Sequence, residues 1–215
     1  MLPNHFCWTR FGTEAGENIT SILARKERER QATGGMFLWG IGNSVGPAMR
    51  DLVCIERQPR VIFSPMRSRP KAIDCEPSGV LHWTDAEDLD GNEWPIPEGI
   101  LVTSRQGGEG GREKRAHYAL VCHSSSPLAA REEHSLFYNA LVNLQTKNKL
   151  GASQVTAVVA LLELAAQQGT VYPVALTAEL VFPYFVRLKN PVGIDVQRPM
   201  RGRQKSRQQA LHLVA

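Results

Sequence analysis

The chain has 215 residues, 42% of them hydrophobic, and a formal net charge of +4. That size and apolar content suit one well-packed domain with a small appendage. They exclude a helical membrane protein, since no stretch approaches the roughly 20 uninterrupted apolar residues of a span.

Residues 1–10 lack the basic flank and apolar core of a secretory signal. The four cysteines, Cys7, Cys54, Cys75 and Cys122, form no close pair, so a reduced, cytoplasmic chain with buried thiols is expected. Thr13 is placed to cap a helix over 14–30, with Ala15, Ile19, Ile22 and Leu23 on one apolar face. Its last turns, Arg25 to Arg30, are mixed in sign. They read as a solvated surface with i,i+4 pairs such as Arg25 with Glu29, the competing reading being a phosphate-contacting face. Thr33-Gly34-Gly35 ends the helix.

An apolar strand over 36–41 follows and runs into the polar turn Gly42-Asn43-Ser44. A short helix over 47–53 and a second apolar strand over 60–63 come next. Residues 64–77 carry prolines and the cations Arg67, Arg69 and Lys71, and read as a loop or extended arm. Short strands are expected over 80–83, 100–104 and 116–122. The acidic stretch 85–98, with Asp90-Gly91 as a turn, and the glycine-rich loop 106–112 separate them.

Beyond Cys122, Pro127 in a first turn predicts a helix running towards Lys147. Ser153 caps a second helix over 154–168, stopped by Gly169, whose Val155, Val158, Val159, Leu161, Leu162 and Leu164 imply nearly complete burial. Residues 171–188 read as one or two strands, interrupted by Pro173 and Pro183. From 191 onward Arg198, Arg201, Arg203, Lys205 and Arg207 mark a frayed basic tail. The expected architecture is α+β: a single domain over 1–190, with a β-rich core at 35–122 and a helical part at 124–169, then the basic tail 191–215. Regular strand–helix alternation is missing, and so is a G-x-G-x-x-G after a strand, which excludes a doubly wound fold.

Chemical motifs are thin. His82, His117, Cys122, His123 and Cys75 lack the close spacing of a zinc site. Asp85, Glu87, Asp88 and Asp90 do not follow the calcium-loop pattern. Asp74 and Glu76 lack the lysine a metal-dependent nuclease places nearby. No metal and no cofactor are implied. Ser64, Ser104 or Cys122 with His117 offer a nucleophile and base, but no G-x-S-x-G elbow is present. The glycine-rich loop lacks the Gly-Lys-Ser/Thr end of a nucleotide P-loop. It reads as a hairpin tip, or as an arm laying Arg112, Lys114 and Arg115 along a phosphate backbone.

The aromatic residues say more. Trp39, Trp83, Trp94, Tyr118 and Phe63 crowd the β-rich half, where core packing is their ordinary role. Trp39 stands out because Gly40, Gly42 and Asn43 follow it at a strand end, and glycines there admit close approach of a ligand. Extruded bases are held by aromatic faces and by hydrogen bonds to their edges. The predicted base-binding set is therefore Trp39 as stacking surface, Trp83 or Tyr118 as the opposite wall, and Asn43, Ser44 and Ser64 at the base edge. Arg67, Arg69, Lys71, Arg112 and Arg115 form the predicted phosphate-binding set.

The segment Phe37-Leu38-Trp39-Gly40-Ile41-Gly42, followed by a helix and the apolar strand over 60–63, resembles the PUA-like superfamily, in particular its EVE, ASCH and YTH branches. The resemblance covers about 35–122. It implies a small curved barrel with flanking helices and a modified base in an aromatic pocket, with Trp39 and Ser64 at pocket positions. The long basic loop 64–77 and the segments after Cys122 have no counterpart in a minimal domain of that type.

The expected function is a nucleic-acid-binding module for DNA or RNA that reads a modified or flipped base. A second expectation is an enzyme acting on a nucleotide or modified base, with His117 as general acid or base. A third is a protein-interaction subunit of a nucleic-acid-processing system that uses the basic tail as its handle. Nucleic acid is the expected partner, with a possible protein partner at the tail and no membrane.

Overall fold

A computed structural model describes residues 2–12, 18–66, 79–100, 103–106, 117–128, 134–151, 154, 156–164, 171–174 and 176–194. The described chain is a mixed α+β fold dominated by one open sheet. Its elements in order are β1 (His5–Phe11), α1 (Ile19–Ala32), β2 (Met36–Ile41), α2 (Gly46–Ile55), β3 (Arg60–Pro65), β4 (Gly79–Glu87), β5 (Glu93–Pro95), β6 (Thr103–Gln106) and β7 (His117–His123). Then follow β8 (His134–Phe137), a 3-10 turn, β9 (Leu141–Asn143), β10 (Val158–Leu162), β11 (Val171–Val174) and the long β12 (Leu176–Ile194).

The sheet runs β2-β7-β12-β3-β1-β10-β9, with β4 joined to the second half of β12 and flanked by β5 and β6. Only β1 and β3 are parallel among the described pairs. β12 holds the sheet together. Its start pairs with β3, its middle with β7, and its end with β4. Between Leu180 and Phe185 its register against β7 shifts, and this bulge leaves Phe182 71% exposed.

Strand alternation sends side chains to two faces. On the inner face Phe37, Trp39 and Ile41 of β2 meet Phe11 of β1 and Phe63 of β3 in one buried cluster, closed by Ile22 and Leu23 of α1 and Met49 and Leu52 of α2. On the outer face Phe6, Trp8 and Ile62 pack under the separate β8–β11 pair, and Leu38, Ala119 and Val121 pack under Trp83. α2 buries Ala48, Met49 and Leu52 at helical spacing, with proline in its first turn.

The sheet is not closed into a barrel. Among the described residues β2 is an end strand, bonded by β7 alone. Its free side is guarded by α1, whose Glu29 accepts the Leu38 backbone N–H. An unpaired strand edge invites aggregation, and a covering helix is one of the ways proteins remove the hazard. α1 is capped by Asn18, which accepts the Ser21 N–H at 2.9 Å. The expected cap Thr13 lies outside the described residues. The helix ends at Thr33 as expected. Gly35 has φ +124°, and a Cβ there would stand 2.4 Å from Nε2 of His123, so the glycine lets the imidazole lie against the backbone.

The mixed-sign end of α1 departs from a purely solvated face. Arg25 does approach Glu29, at 3.8 Å, but Lys26 and Glu29 are buried and bond each other at 2.8 and 2.9 Å. Glu27 holds Arg30 through two 2.8 Å bonds and accepts the Leu128 N–H at 2.9 Å. The Arg30 guanidinium, aided by the Leu128 N–H and Gln31, lowers the Glu27 carboxyl from 4.5 to about 2. A depressed folded-state value means stability that is present above pH 4.5 and lost as pH falls towards 2. Glu27→Gln should therefore lower the melting temperature at neutral pH and flatten its decline through that acid window. Parallel curves for the two proteins would remove this role.

The expected helices after Cys122 are strands. In place of a helix towards Lys147 stand β8, the 3-10 turn and β9, and Asn143 turns the chain by accepting the N–H groups of Gln145 and Thr146 at 2.9 and 3.0 Å. In place of the helix over 154–168 stands β10. Val158, Ala160 and Leu162 face the outer cluster while Val159 faces the inner one. A strand buried on both faces shows no alternation, so its apolar run mimics a buried helix. β12 also continues through 191–194, where a tail was expected, while 195–215 lie outside the described residues.

Candidate functional site

β2 ends on the inner face with Trp39 and Ile41 and then releases the chain through Gly42, Asn43 and Ser44 into α2. Trp39 is 6% exposed. Its ring lies 5.3 Å from that of Phe11, edge-on at 84°, and 4.5 Å from that of Phe63. The three rings make an aromatic block beneath the strand end. Gly40 and Gly42 are exposed, and a Cβ at either would meet nothing within 4 Å.

Asn43 is half-buried and reaches across the sheet. Its Nδ2 donates to the Ala157 carbonyl at 2.9 Å, just ahead of β10. Its Oδ1 is buried with no hydrogen-bond partner. On the neighbouring strand, Arg10 donates from Nη1 to the Gln154 carbonyl at 3.3 Å. Asn43 and Arg10 thus each hold a backbone carbonyl of the chain ahead of β10, those of Ala157 and Gln154. Ser44 is exposed, and its hydroxyl accepts the Gly46 N–H at 3.3 Å. Tyr118, paired with Ile41 across β2–β7, stacks on Phe185 at 5.3 Å and 19° on this same face.

Trp39, Asn43, Ser44 and Tyr118 are therefore gathered at one strand end. Ser64 is not among them. It is fully buried on the outer face, where its hydroxyl accepts the Trp8 indole N–H at 3.0 Å. Trp83 also packs on the outer face, so it is no opposite wall to Trp39. His117 lies against it, ring centroids 4.7 Å apart, and the buried Trp83 indole N–H has no acceptor. Cys122 faces the inner cluster and His117 the outer one, which rules out a thiol–imidazole pair between them. Burial pushes the Cys7 thiol up to about 12 and the Cys122 thiol well above its ordinary value, so both are unreactive near neutrality. Arg67, Arg69, Lys71, Arg112 and Arg115 lie outside the described residues, as do most of the tail and the Ser104 side chain.

Sequence reasoning missed Phe11, Arg10 and the Ala157 carbonyl. Arg10 had a signal, being a lone cation inside the apolar run of β1. The carbonyl had none, since a backbone group reached through sheet curvature leaves no mark on residue type. No group of three or more His, Cys, Asp or Glu that could hold a metal exists among the described residues. No helix among them is long and apolar enough to cross a membrane. No family model, curated protein or solved structure matches the chain.

Proposed function

We propose that the chain is a nucleic-acid-binding module that receives a single flipped or modified base at the end of β2. The observation that carries this reading is Asn43, whose Oδ1 is a buried acceptor without a donor beside an open, glycine-lined strand end. A buried polar group left unsatisfied costs about 1–3 kcal/mol. A base edge bearing an N–H would satisfy it. The aromatic block of Trp39, Phe11 and Phe63 supplies an apolar bed, and Tyr118 a second ring on the same face. Arg67, Arg69 and Lys71 follow β3 directly in sequence and complete the reading as phosphate contacts. The resemblance to PUA-like base readers agrees with it, although the described sheet is open.

Binding should be measured by fluorescence anisotropy on single-stranded DNA and RNA over a salt series. A base-bearing oligonucleotide should bind more tightly than one with a single abasic position, at every salt concentration. Asn43→Ala should lose that difference, roughly tenfold in affinity, while the salt slope stays the same. An Asn43→Ala protein that is folded and keeps the full preference would reject the reading.

A further inference from the structure

We infer that Phe182 is a stacking surface for an unpaired base of a single-stranded nucleic acid, with Arg57, Arg60 and Arg187 taking the neighbouring phosphates. The surface is separate from the end of β2 and rests on the proposal above only for the class of partner. Among the described strand pairs, β12 has β3 beside it up to Glu179 and β4 from Arg187 onward. Between those points its strand partner is β7 alone, so the sheet forks there, and the bulge stands in the fork. A bulge re-aims side chains. Leu180 and Phe185 at its two ends sink into the inner cluster, and Val181 packs on the outer one. Pro183 is buried, and Phe182 is left as the most exposed large hydrophobic side chain among the described residues. Tyr184 braces it, the rings 6.1 Å apart and edge-on at 85°. Tyr184 itself takes φ +66°, a left-handed conformation uncommon for an aromatic residue. Such backbone persists only where the surrounding structure enforces it, and it collects where ligands are gripped.

The charges on the two lips of the fork say what covers the ring. Arg60 stands opposite Glu179 on the β3 lip, and Arg187 opposite Glu87 on the β4 lip. Arg57 lies two residues before Pro59, whose carbonyl accepts the Leu180 N–H at 2.8 Å. Arg57 and Arg187 are exposed and Arg60 is half-buried. None of the three guanidinium groups forms a hydrogen bond or ion pair among the described residues. The acids beside them are engaged, Glu56 with His5 at 3.0 Å, Glu179 with His123 at 3.8 Å, and Glu87 with Lys189. A bare ring among uncompensated cations suits a polyanion that carries flat apolar faces. A single strand is such a partner, whereas a duplex covers its base faces with their neighbours. Phenylalanine has no hydrogen-bonding group, so the contact tolerates any base.

The test is fluorescence anisotropy with labelled single-stranded DNA of mixed sequence, alone or annealed to its complement, over a salt series. Wild-type protein should bind the single strand more tightly than the duplex. Phe182→Ala should weaken single-strand binding roughly tenfold at every salt concentration and leave duplex binding unchanged. Phe182→Trp should keep the affinity, whereas Phe182→Leu, apolar without a flat face, should behave as Phe182→Ala does. Arg57→Gln and Arg187→Gln should each make the single-strand salt slope shallower by about 0.7. These side chains are exposed, so each variant should melt as the wild type does, which thermal denaturation checks first. Full single-strand affinity in Phe182→Ala or Phe182→Leu would overturn the stacking role. So would a Phe182→Ala protein that keeps its affinity for DNA but loses self-association in sedimentation, since a second copy of the chain would then cover the ring. A retained preference for a base over an abasic position, with Phe182→Ala unimpaired, would strike this inference and leave the reading at Asn43 standing. A weakened Phe182→Ala without any abasic effect would do the reverse. Wild-type protein that bound no single strand would overturn both.

Discussion

Trp39→Ala should lower the stability of the fold by about 3–5 kcal/mol, the usual loss when a buried aromatic is cut back to a methyl group. The ring is 6% exposed and touches both Phe11 and Phe63 within ordinary aromatic pair distances. Removing it would leave a cavity among residues drawn from β1, β2 and β3, which cannot all relax inward. Urea titration followed by far-ultraviolet circular dichroism measures the loss as a lower midpoint. Trp39→Phe should lose much less, because it keeps a ring against Phe63. The stacking role suggested by the sequence makes the opposite forecast. A freely presented indole would leave the midpoint unchanged and cost roughly 1–3 kcal/mol of binding per stacked base. A Trp39→Ala protein as stable as the wild type but unable to bind would restore that role and undo the present assignment.

The strand order near the site was legible because glycine and proline punctuate it. Thr33-Gly34-Gly35 stops α1, Gly42 to Ser44 stop β2, and Pro47 starts α2, and the structure follows each of them. Trp39, Asn43 and Ser44 were legible as neighbours for the same reason, whereas Tyr118 was named only among the aromatic residues of the β-rich half, as an alternative to Trp83. Which face each side chain takes was harder. Ser64 and Phe63 are adjacent, and a period of two sends one outward to Trp8 and the other inward to Trp39. A residue type gives no hint of which. The second half of the chain misled for a different reason. β10 is buried on both faces, so its valines and leucines carry no period. Their β-branched content was the only pointer to a strand. Curvature was invisible altogether, and it is curvature that brings Asn43, beyond one end strand, to the Ala157 carbonyl ahead of β10.

The second large effect concerns the ion pair inside α1. Lys26→Met should cost about 3–5 kcal/mol, because it strands the Glu29 carboxylate in the core without its main counter-charge. The pair is buried at 5% and 3% exposure. Burial lowers the lysine and raises the glutamate from their ordinary values, and each partner's charge opposes the shift. Arg25, at 3.8 Å from Glu29, can offset part of the loss. Lys26→Met with Glu29→Gln should cost less than Lys26→Met alone, since it removes both charges and keeps an oxygen for the Leu38 N–H. The pH dependence has a definite sign. Without Lys26, Glu29 titrates higher in the folded state than its ordinary 4.5. The folded state then holds an extra proton above that pH, so the deficit grows as pH rises and shrinks towards 4.5. Denaturation of the single and double variants at acid and neutral pH measures both effects. A double variant as unstable as the single one would mean that the charges are not what the core resists. The consequence reaches the site, because Glu29 bonds the backbone of Leu38, one residue before Trp39, and so anchors the strand that ends in Asn43.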